Sequence, residues 1–305
     1  MAIEFDKATP TVKWGQYLRA PDSLLQMFER AQNASKGLSS QASFKRGSKT
    51  HLNDFYHVSL ETAEEYHIES EFLRPLLKSP SDTATIRIHP NDLPLRVFVC
   101  RETEVDLRQK GKTGALAYIA WGKTQRKQGI PYPEWRWIRE RKPAWYALPE
   151  NESPEARIFL TNALGGRHLH KYSETTVIAD KRLHVVLPKK KVNWKLLIAV
   201  LNSSFVAVSA ELVGRIVKGD GVLEVDYDDL RDHLRVPDVR EFSDDDTEQI
   251  LDAFSKLVNR PIESVEREIT KPDRIALDKA VLSAIGLSPD QYLKPLYRGL
   301  LRPCW

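Results

Sequence analysis

Tryptophan and basic side chains are interleaved in one short stretch of the chain, residues 121–149, WGKTQRKQGIPYPEWRWIRERKPAWYALP. This stretch holds four of the seven tryptophans. Lysine and arginine neutralise phosphates, while aromatic rings and the arginine plane stack on nucleobases or wedge into a groove. Arginine also makes bidentate contacts to guanine. The mixture predicts contact with a nucleic acid, although any single tryptophan here is equally consistent with a core position.

A second basic cluster lies in residues 43–58, SFKRGSKTHLNDFYHV. Lys45, Arg46 and Lys49 surround Gly47 there. A loop of small residues lets backbone N–H groups approach a phosphate, with basic side chains beside them. The alternative interpretation is an ordinary exposed loop.

The distribution of charge favours a polyanionic partner more than the total does. The formal net charge is +4 over 305 residues. Residues 107–147 hold ten basic and two acidic residues, a net charge of +8, whereas residues 241–305 hold nine basic and twelve acidic residues, a net charge of −3. Such a basic segment is the electrostatic footprint expected of a nucleic-acid-binding protein.

The cysteines and the hydropathy pattern predict a soluble protein of a reducing compartment. Cys100 and Cys304 match no metal spacing and no disulfide framework. The longest apolar stretch, residues 196–208, is too short and too polar to span a bilayer. We therefore expect a cytoplasmic protein with no membrane partner.

The sequence lacks the common catalytic and metal-binding motifs. No Gly-rich nucleotide loop follows a predicted strand, and no serine-nucleophile elbow occurs. His168 and His170 stand two residues apart, but no cysteine pair or nearby carboxylate completes a zinc set. Asp106 and Lys110, in EVDLRQK, form a poor version of a magnesium-dependent nuclease motif. We expect neither a catalytic residue nor a metal in this chain.

Hydrophobic periodicity predicts the elements that position these segments. Residues 33–49, rich in serine and glycine, predict a loop, and two strands are predicted around a turn near Asp180. Further strands are predicted at residues 85–89, 95–101, 115–121 and 157–163. Alternation in EWRWIRER would place Trp135, Trp137 and Arg139 on one face of a strand.

Helical periodicity dominates the ends of the chain. A first helix begins at Asp22 or Ser23, and one long apolar helix is predicted over residues 193–217. Tail helices are predicted to begin near Ser243, Pro272 and Ser288. We expect the long helix and the acidic tail either to brace the rest of the protein and contact a partner or to complete its core.

Several motifs follow one another along the chain in an order that is similar to that of a known family. They are WGQYLRAPD, FKRGSKTHLNDFYHV, YHIESEFLRPLLKSP, LPLRVFVC, ERKPAWYALP, RLHVVLPKK, the LNSS…ELVGR run and the tail LVNRPIESVEREI…DRIALDKAVLSAIGL. Their order, over almost the whole chain, resembles the C-terminal, target-recognition half of bacterial and archaeal adenine-specific DNA methyltransferases. Type II enzymes that fuse a methylase to a specificity region are included. FLRPLLKSP and LNSS…ELVGR are the most specific motifs.

The resemblance implies a region that reads a short sequence in double-stranded DNA while a separate catalytic domain methylates an adenine. In the family, that catalytic half carries an Asn-Pro-Pro-aromatic tetrapeptide and a Gly-rich site for S-adenosylmethionine, and neither occurs in this sequence. We therefore expect no cofactor in this chain. The expected partners are double-stranded DNA and the methyltransferase catalytic domain or subunit, which binds S-adenosylmethionine.

The resemblance also implies a fold class and a domain organisation. The expected fold is α+β: a mixed β-sheet DNA target-recognition domain with packed helices and a C-terminal helical tail. The expected parts are an N-terminal helical connector over residues 1–40, a target-recognition domain over residues 41–240 and a helical tail over residues 241–305.

Candidate DNA-contacting residues combine charge, side-chain type and the family loop. The predicted phosphate contacts are Lys45, Arg46, Lys49, Lys123, Lys127 and Lys189. The predicted base or groove contacts are Arg136, Trp137, Arg139 and Arg141. Thr50, Asn53, Trp121 and Arg126 complete the set. The family loop usually has Thr-Gly-x-Asn, and His51 replaces its glycine in this chain.

Two other functional classes stay open at this point. The chain could be the DNA-binding part of a restriction nuclease, which would show magnesium-dependent nicking of plasmid DNA. It could also be a protein-interaction scaffold whose tryptophans bind a partner. DNA binding weakens steeply with salt, whereas an apolar interface does not, so salt dependence separates these classes.

Overall fold

The computed structural model describes residues 22–161, 163–164, 167–216, 223–224 and 227–301. Its architecture is α+β, with a mixed sheet, packed helices and a helical C-terminal tail, which confirms the predicted fold class. The WGQYLRAP part of the first family motif lies outside the described residues. The predicted domain boundaries stay predictions.

The strands are short, and most belong to one sheet. In chain order they are β1 (Ser35–Gly37), β2 (Ala42–Arg46), β3 (His57–Ser59), β4 (Leu73–Leu77), β5 (Arg87–Ile88), β6 (Leu95–Phe98), β7 (Arg126–Lys127), β8 (Ile130–Pro131), β9 (Glu155–Thr161), β10 (Ala163–Leu164), β11 (Lys171–Ala179), β12 (Leu183–Pro188), β13 (Arg215–Ile216), β14 (Leu223–Glu224) and β15 (Arg235–Pro237). The largest sheet has the order β2-β12-β9-β11-β4-β6-β3, with β5 also paired to β11. Its pairs are antiparallel except where β11 meets β4 and β5.

Five of the eleven α-helices in the described residues lie in the C-terminal third of the chain. They are α1 (Asp22–Arg30), α2 (Asn53–Tyr56), α3 (Leu60–Glu65), α4 (Glu104–Gln109), α5 (Thr113–Thr124), α6 (Trp194–Leu201), α7 (Ser204–Val213), α8 (Asp244–Leu257), α9 (Val265–Glu268), α10 (Pro272–Ala284) and α11 (Pro289–Leu300). The side chain of Ser243 caps α8 in a capping box with Asp246, which confirms the predicted start of the tail. The helices predicted near Pro272 and Ser288 are also confirmed.

The core is divided into three buried clusters. The largest joins α1, α6, α7 and the tail helices to the sheet face that carries Ile158 and Val186. Phe159 follows Ile158 in the chain, and Val185 precedes Val186. Both belong to a second cluster on the other face of the sheet, because side chains alternate along a strand. The third cluster packs α2 and α5 against β3, β6 and residues 132–148.

The strand predicted at residues 115–121 is wrong, because these residues lie in helix α5. A short apolar run such as ALAYIAW does not distinguish a strand from a buried helix by periodicity. Its three alanines favour helix, and Tyr118 and Ile119 are buried in the third cluster.

Residues 134–141, EWRWIRER, do not form the strand that would place Trp135, Trp137 and Arg139 on one face. Backbone N–H groups of Ile138 and Arg139 donate to Trp135 O at 2.9 and 3.0 Å, which folds the segment into tight turns. Trp135 and Trp137 therefore do not share a strand face. Ile138 is fully buried between exposed neighbours.

The single helix predicted over residues 193–217 is broken into α6 and α7, which are bent by 63° at Asn202 and Ser203. The Ser203 side chain accepts from Val206 N and begins α7. Side chains that bond to the backbone compete with a continuous helix. Residue 217 lies outside the described residues.

The loop predicted over residues 33–49 contains two strands, β1 and β2. β1 pairs with β15 and β2 with β12, so pairing with distant strands overrides the local turn-like composition. Within the described residues no single helix is long and apolar enough to span a membrane, although α6 and α7 taken together as a bent pair pass that test by length and composition.

Candidate nucleic-acid interface

The Gly47 loop, residues 47–53, is held against the turn between β11 and β12. Ser48 N donates to Ala179 O at 2.6 Å. A Cβ atom at Gly47 would lie 2.2 Å from Asp180 O, so only glycine lets the two backbones approach this closely. Backbone contacts therefore fix the position of the loop.

The Trp137 turn, residues 135–141, is bonded to the same loop. Trp135 Nε1 donates to His51 O at 3.2 Å, and Arg141 Nη2 donates to Thr50 O at 3.1 Å. These partners are 84 and 91 residues apart in the chain. The structure thus joins the two basic segments that the sequence singled out into one surface.

His51 has a φ of +63°, in the left-handed region that favours glycine. Histidine is among the residues that adopt this region more readily than most. His51 thus has a backbone conformation that glycine adopts without strain. The imidazole stacks on the indole of Trp137, with 5.1 Å between ring centroids and 16° between planes.

The four tryptophans of residues 121–149 have different environments. Trp145 is buried, and Trp121 and Trp135 are half-buried. Trp121 stacks on Tyr118 with 5.1 Å between centroids. Trp137 is 52% exposed and is the residue of this group that faces solvent. The segment therefore supplies both core and surface.

Cations without an acidic partner surround the Gly47 loop, within the part of the chain that the structure describes. They are Lys45, Arg46, Lys49, Arg136, Lys142 and Lys181. The guanidinium of Arg136 lies 4.5 Å from the Trp137 ring centroid, and Arg46 Nε donates to Lys181 O at 3.1 Å. We call these six residues the basic surface.

Lys181 was not among the predicted contacts. Lys181 N donates to Ser48 O at 3.0 Å, so the residue lies beside the Gly47 loop. The sequence did indicate that Lys181 lies in a turn, because a turn was predicted near Asp180. Its proximity to a loop more than 130 residues earlier depends on strand pairing, which the sequence pattern did not show.

Three predicted cations are in exposed ion pairs. These are Lys123 with Glu104 at 2.6 Å, Lys127 with Asp54 at 3.3 Å and Arg139 with Glu140 at 3.3 Å. Exposed pairs of this kind contribute little stability, so a phosphate can compete for the cation. Arg126 Nη1 donates to Gly129 O at 2.9 Å inside the β7–β8 hairpin.

Arg141 is buried rather than exposed. Its guanidinium donates to Thr50 O and to the Glu152 carboxylate, and lies 5.0 Å from the Tyr56 ring centroid. Every one of these contacts is internal to the protein. The geometry makes Arg141 a brace between the loop and the turn.

Lys189 lies away from the basic surface. It follows β12, whereas Lys181 precedes that strand, so the six-residue strand separates them by about 20 Å. Lys189 Nζ donates to Ser39 O at 2.7 Å. The structure does not bring Lys189 together with the other candidates.

Thr50 and Asn53, the polar residues of the family loop, bond to each other. The Thr50 hydroxyl donates to Asn53 Oδ1 at 2.5 Å, and Thr50 is buried. Asn53 is the first residue of α2, whose Phe55 and Tyr56 are buried. The pair therefore shapes the end of the loop and leads the chain into the third cluster.

Burial and nearby cations affect the histidines of this region. Partial burial and then the positive charge of Lys49 lower the pKa of His51. Burial lowers the pKa of His57 to about 4, and neither ring nitrogen of His57 has a hydrogen-bond partner within the described residues.

The residues that the sequence offered for metal ligation or nuclease chemistry make other contacts in the structure. Among the described residues, no group of three or more His, Cys, Asp or Glu side chains could hold a metal ion. His168 Nε2 lies 3.0 Å from Glu211 Oε1, and Asp106 is occupied as a capping-box residue of α4. Lys110 Nζ forms an ion pair with Glu102 at 2.9 Å.

The fold and the sequence define a region of a restriction-modification methyltransferase. Residues 11–269 match the family described as type II methyltransferase M.Eco57I, C-terminal domain. The chain belongs to this family, which confirms the resemblance seen in the sequence motifs. No curated protein matches it.

Two solved structures resemble the chain. The type IIG restriction endonuclease BpuSI has a TM-score of 0.67 and 14% identity, over 94% of this chain and 34% of that one. The type IIL restriction-modification enzyme MmeI in complex with DNA has a TM-score of 0.49 and 13% identity, over 87% of this chain and 36% of that one. At this identity the BpuSI likeness establishes a shared fold, and the chain spans about a third of the BpuSI chain.

Proposed function

We propose that this domain recognises a short sequence in double-stranded DNA and positions it for an adenine-specific methyltransferase. The catalytic domain or subunit, with its S-adenosylmethionine, is the partner in this proposal. The family membership supports it, as does the absence of the catalytic tetrapeptide from the sequence. The proposed setting is the cytoplasm.

The observation that carries the proposal is the joining of the Gly47 loop and the Trp137 turn. Two segments that are separately basic lie side by side, bonded through Trp135 and Arg141. Lysine and arginine side chains that have no acidic partner and that extend from a fixed backbone can bind phosphates. Phosphate contacts fix the position of a protein on a duplex.

The proposed contacts differ in their roles. Lys45, Arg46, Lys49, Lys142 and Lys181 contact phosphates, and Arg136, Trp137 and Arg139 contact bases or the groove. Lys123, Arg126 and Lys127 extend the surface toward flanking DNA. Arg141, Thr50, Asn53 and Trp121 hold the interface together, and Lys189 contacts DNA only if the duplex reaches the far end of β12.

Salt-dependent DNA binding tests the proposal. We expect the chain to bind a duplex with an affinity that falls steeply with salt concentration. Replacement of Lys45, Lys49 and Lys181 together by Ala should make the negative slope of log affinity against log salt less steep by about three, because each phosphate contact contributes about one.

A matched control removes three exposed cations from the tail helices instead. Lys279, Lys294 and Arg298 lie on α10 and α11, which pack in the largest cluster. Their replacement by Ala changes net charge equally and should leave the slope almost unchanged. Equal effects of the two triple variants would refute the basic surface as the DNA site.

The two alternative classes give different results in the same preparation. Magnesium-dependent nicking of plasmid DNA would assign the chain to a nuclease. Binding to a protein partner without salt-dependent DNA binding would make it a scaffold.

A further inference from the structure

We propose that Trp137 stacks on an unpaired nucleobase of the DNA held by the basic surface. This inference rests on the proposed function and deepens it, since it names the chemical group that one exposed ring receives. It predicts that the domain binds DNA with an unstacked base more tightly than fully paired DNA.

The indole projects from a rigid turn. Trp137 is 52% exposed, while the next residue, Ile138, is fully buried. Bonds from Ile138 N and Arg139 N to Trp135 O close the turn, and Trp135 Nε1 is itself bonded to His51 O. A large apolar ring that remains in solvent on so fixed a base is available to a ligand.

Neighbouring side chains hold the ring in one orientation. The imidazole of His51 stacks on it at 5.1 Å, and the left-handed backbone of His51 directs that imidazole toward the turn. The Arg136 guanidinium lies 4.5 Å from the ring centroid. Contacts that favour one orientation of the indole reduce the conformational entropy lost when a ligand binds.

The charges around the ring indicate what kind of ligand stacks there. The Arg136 guanidinium lies over the Trp137 ring, and Lys49 is close enough to the stacked His51 to lower its pKa; neither cation has an acidic partner among the described residues. An apolar protein surface would meet these cations unfavourably, whereas a nucleotide offers an aromatic face and a phosphate together. Bases in an intact duplex are already stacked on their neighbours, so an unpaired base is the form that presents a free face.

The test compares two fluorescein-labelled duplexes of about 30 base pairs and the same sequence, suited to non-specific binding at low salt. One is fully paired, and the other carries a single bulged 2-aminopurine. We expect the full chain to bind the bulged duplex about tenfold more tightly and to quench the 2-aminopurine emission by stacking.

Two substitutions at the ring and one control refine the test. Trp137→Ala should abolish both the preference and the quenching, so that this variant binds the paired and the bulged duplex with equal affinity. Trp137→Phe should keep part of both. Val105→Ala, at a side chain that is 58% exposed on α4, should behave as wild type.

Each remaining outcome has a definite meaning. If the chain binds neither duplex, the proposed function fails. If it binds both equally, or if Trp137→Ala weakens both equally without changing the quenching, the stacking role is overturned while DNA binding stands.

Discussion

At the residue scale, Gly47 controls where the basic surface lies. A Cβ at this position would meet Asp180 O at 2.2 Å and Ala179 O at 2.7 Å, and both are backbone atoms that cannot rotate away. We expect Gly47→Ala to lower the free energy of unfolding by about 3 kcal/mol, because overpacking against backbone forces a shift. Urea denaturation measures this change.

Ser43 provides the control for Gly47, since it is exposed on β2, the strand that ends immediately before Gly47. Ser43→Ala should change stability by less than about 0.5 kcal/mol. A Gly47→Ala protein with wild-type stability would mean that the loop is not held against the β11–β12 turn.

His51 allows the backbone strain to be separated from the ring stack. Both His51→Gly and His51→Ala remove the imidazole, but only glycine adopts a φ of +63° without strain. We expect His51→Ala to be less stable than His51→Gly by about 1 kcal/mol in urea denaturation. If His51→Ala were the more stable of the two, the left-handed conformation would be absent in solution.

At the element scale, Asn202 decides that α6 and α7 are two helices. Its amide accepts from His170 N and donates to His170 O, both at 3.0 Å, and also donates to Ile198 O at 3.0 Å. We expect Asn202→Ala to lower the free energy of unfolding by about 3 kcal/mol, because buried backbone groups of His170 lose their partners.

Asn193, the exposed N-cap of α6, offers a comparison within the same helix pair. Its side chain accepts from Lys195 N and Leu196 N. Asn193→Ala should cost about 1 kcal/mol, which is typical of a lost cap. If Asn202→Ala cost no more than this, the break would not depend on the Asn202 side chain.

The tertiary context also explains why α5 is a helix. Residues 115–121 have apolar side chains at nearly every position, so their pattern suits either structure. A Cβ at Gly122 would lie 2.6 Å from the Phe55 ring and 2.8 Å from the Trp145 ring. Close packing of the helix on these two rings is a contact between distant segments, and no local pattern reveals it.

At the scale of the whole molecule, stability should depend on pH through buried histidines. Burial lowers the pKa of His57 and His184 to about 4 and that of His170 to about 3. As pH falls below 6.5, the unfolded chain binds protons that the folded protein does not accept. The free energy of unfolding should therefore fall between pH 6.5 and 4, by up to about 1.4 kcal/mol per pH unit for each histidine.

Replacement of one histidine isolates its share of this effect. His184→Gln should reduce the loss of stability between pH 7 and pH 5 in urea denaturation, whatever it does to stability at pH 7. His89→Gln, at an exposed residue, should leave the pH dependence as in the wild type. Identical pH profiles for wild type and His184→Gln would contradict the buried, neutral state of His184.

Sequence patterns by themselves determined the parts that depend on local chemistry. The tail helices α8, α10 and α11 follow from their caps and periodicity, and β9, β11 and β12 follow from β-branched runs around a turn. The basic and aromatic composition of the two candidate segments was likewise visible, as were the motifs of the methyltransferase family. These features need only residues that are neighbours in the chain.

The tertiary structure alone decided which candidates meet and which do not. Arg141 and Trp137 were both predicted from the sequence to contact bases or the groove. In the structure Arg141 is buried beside Thr50, whereas Trp137 projects into solvent. Lys181 joins the basic surface and Lys189 does not, because β12 places them at opposite ends of a strand. Burial and proximity arise from contacts between residues that are tens of positions apart, so they depend on the packing of the whole chain and not on any local pattern.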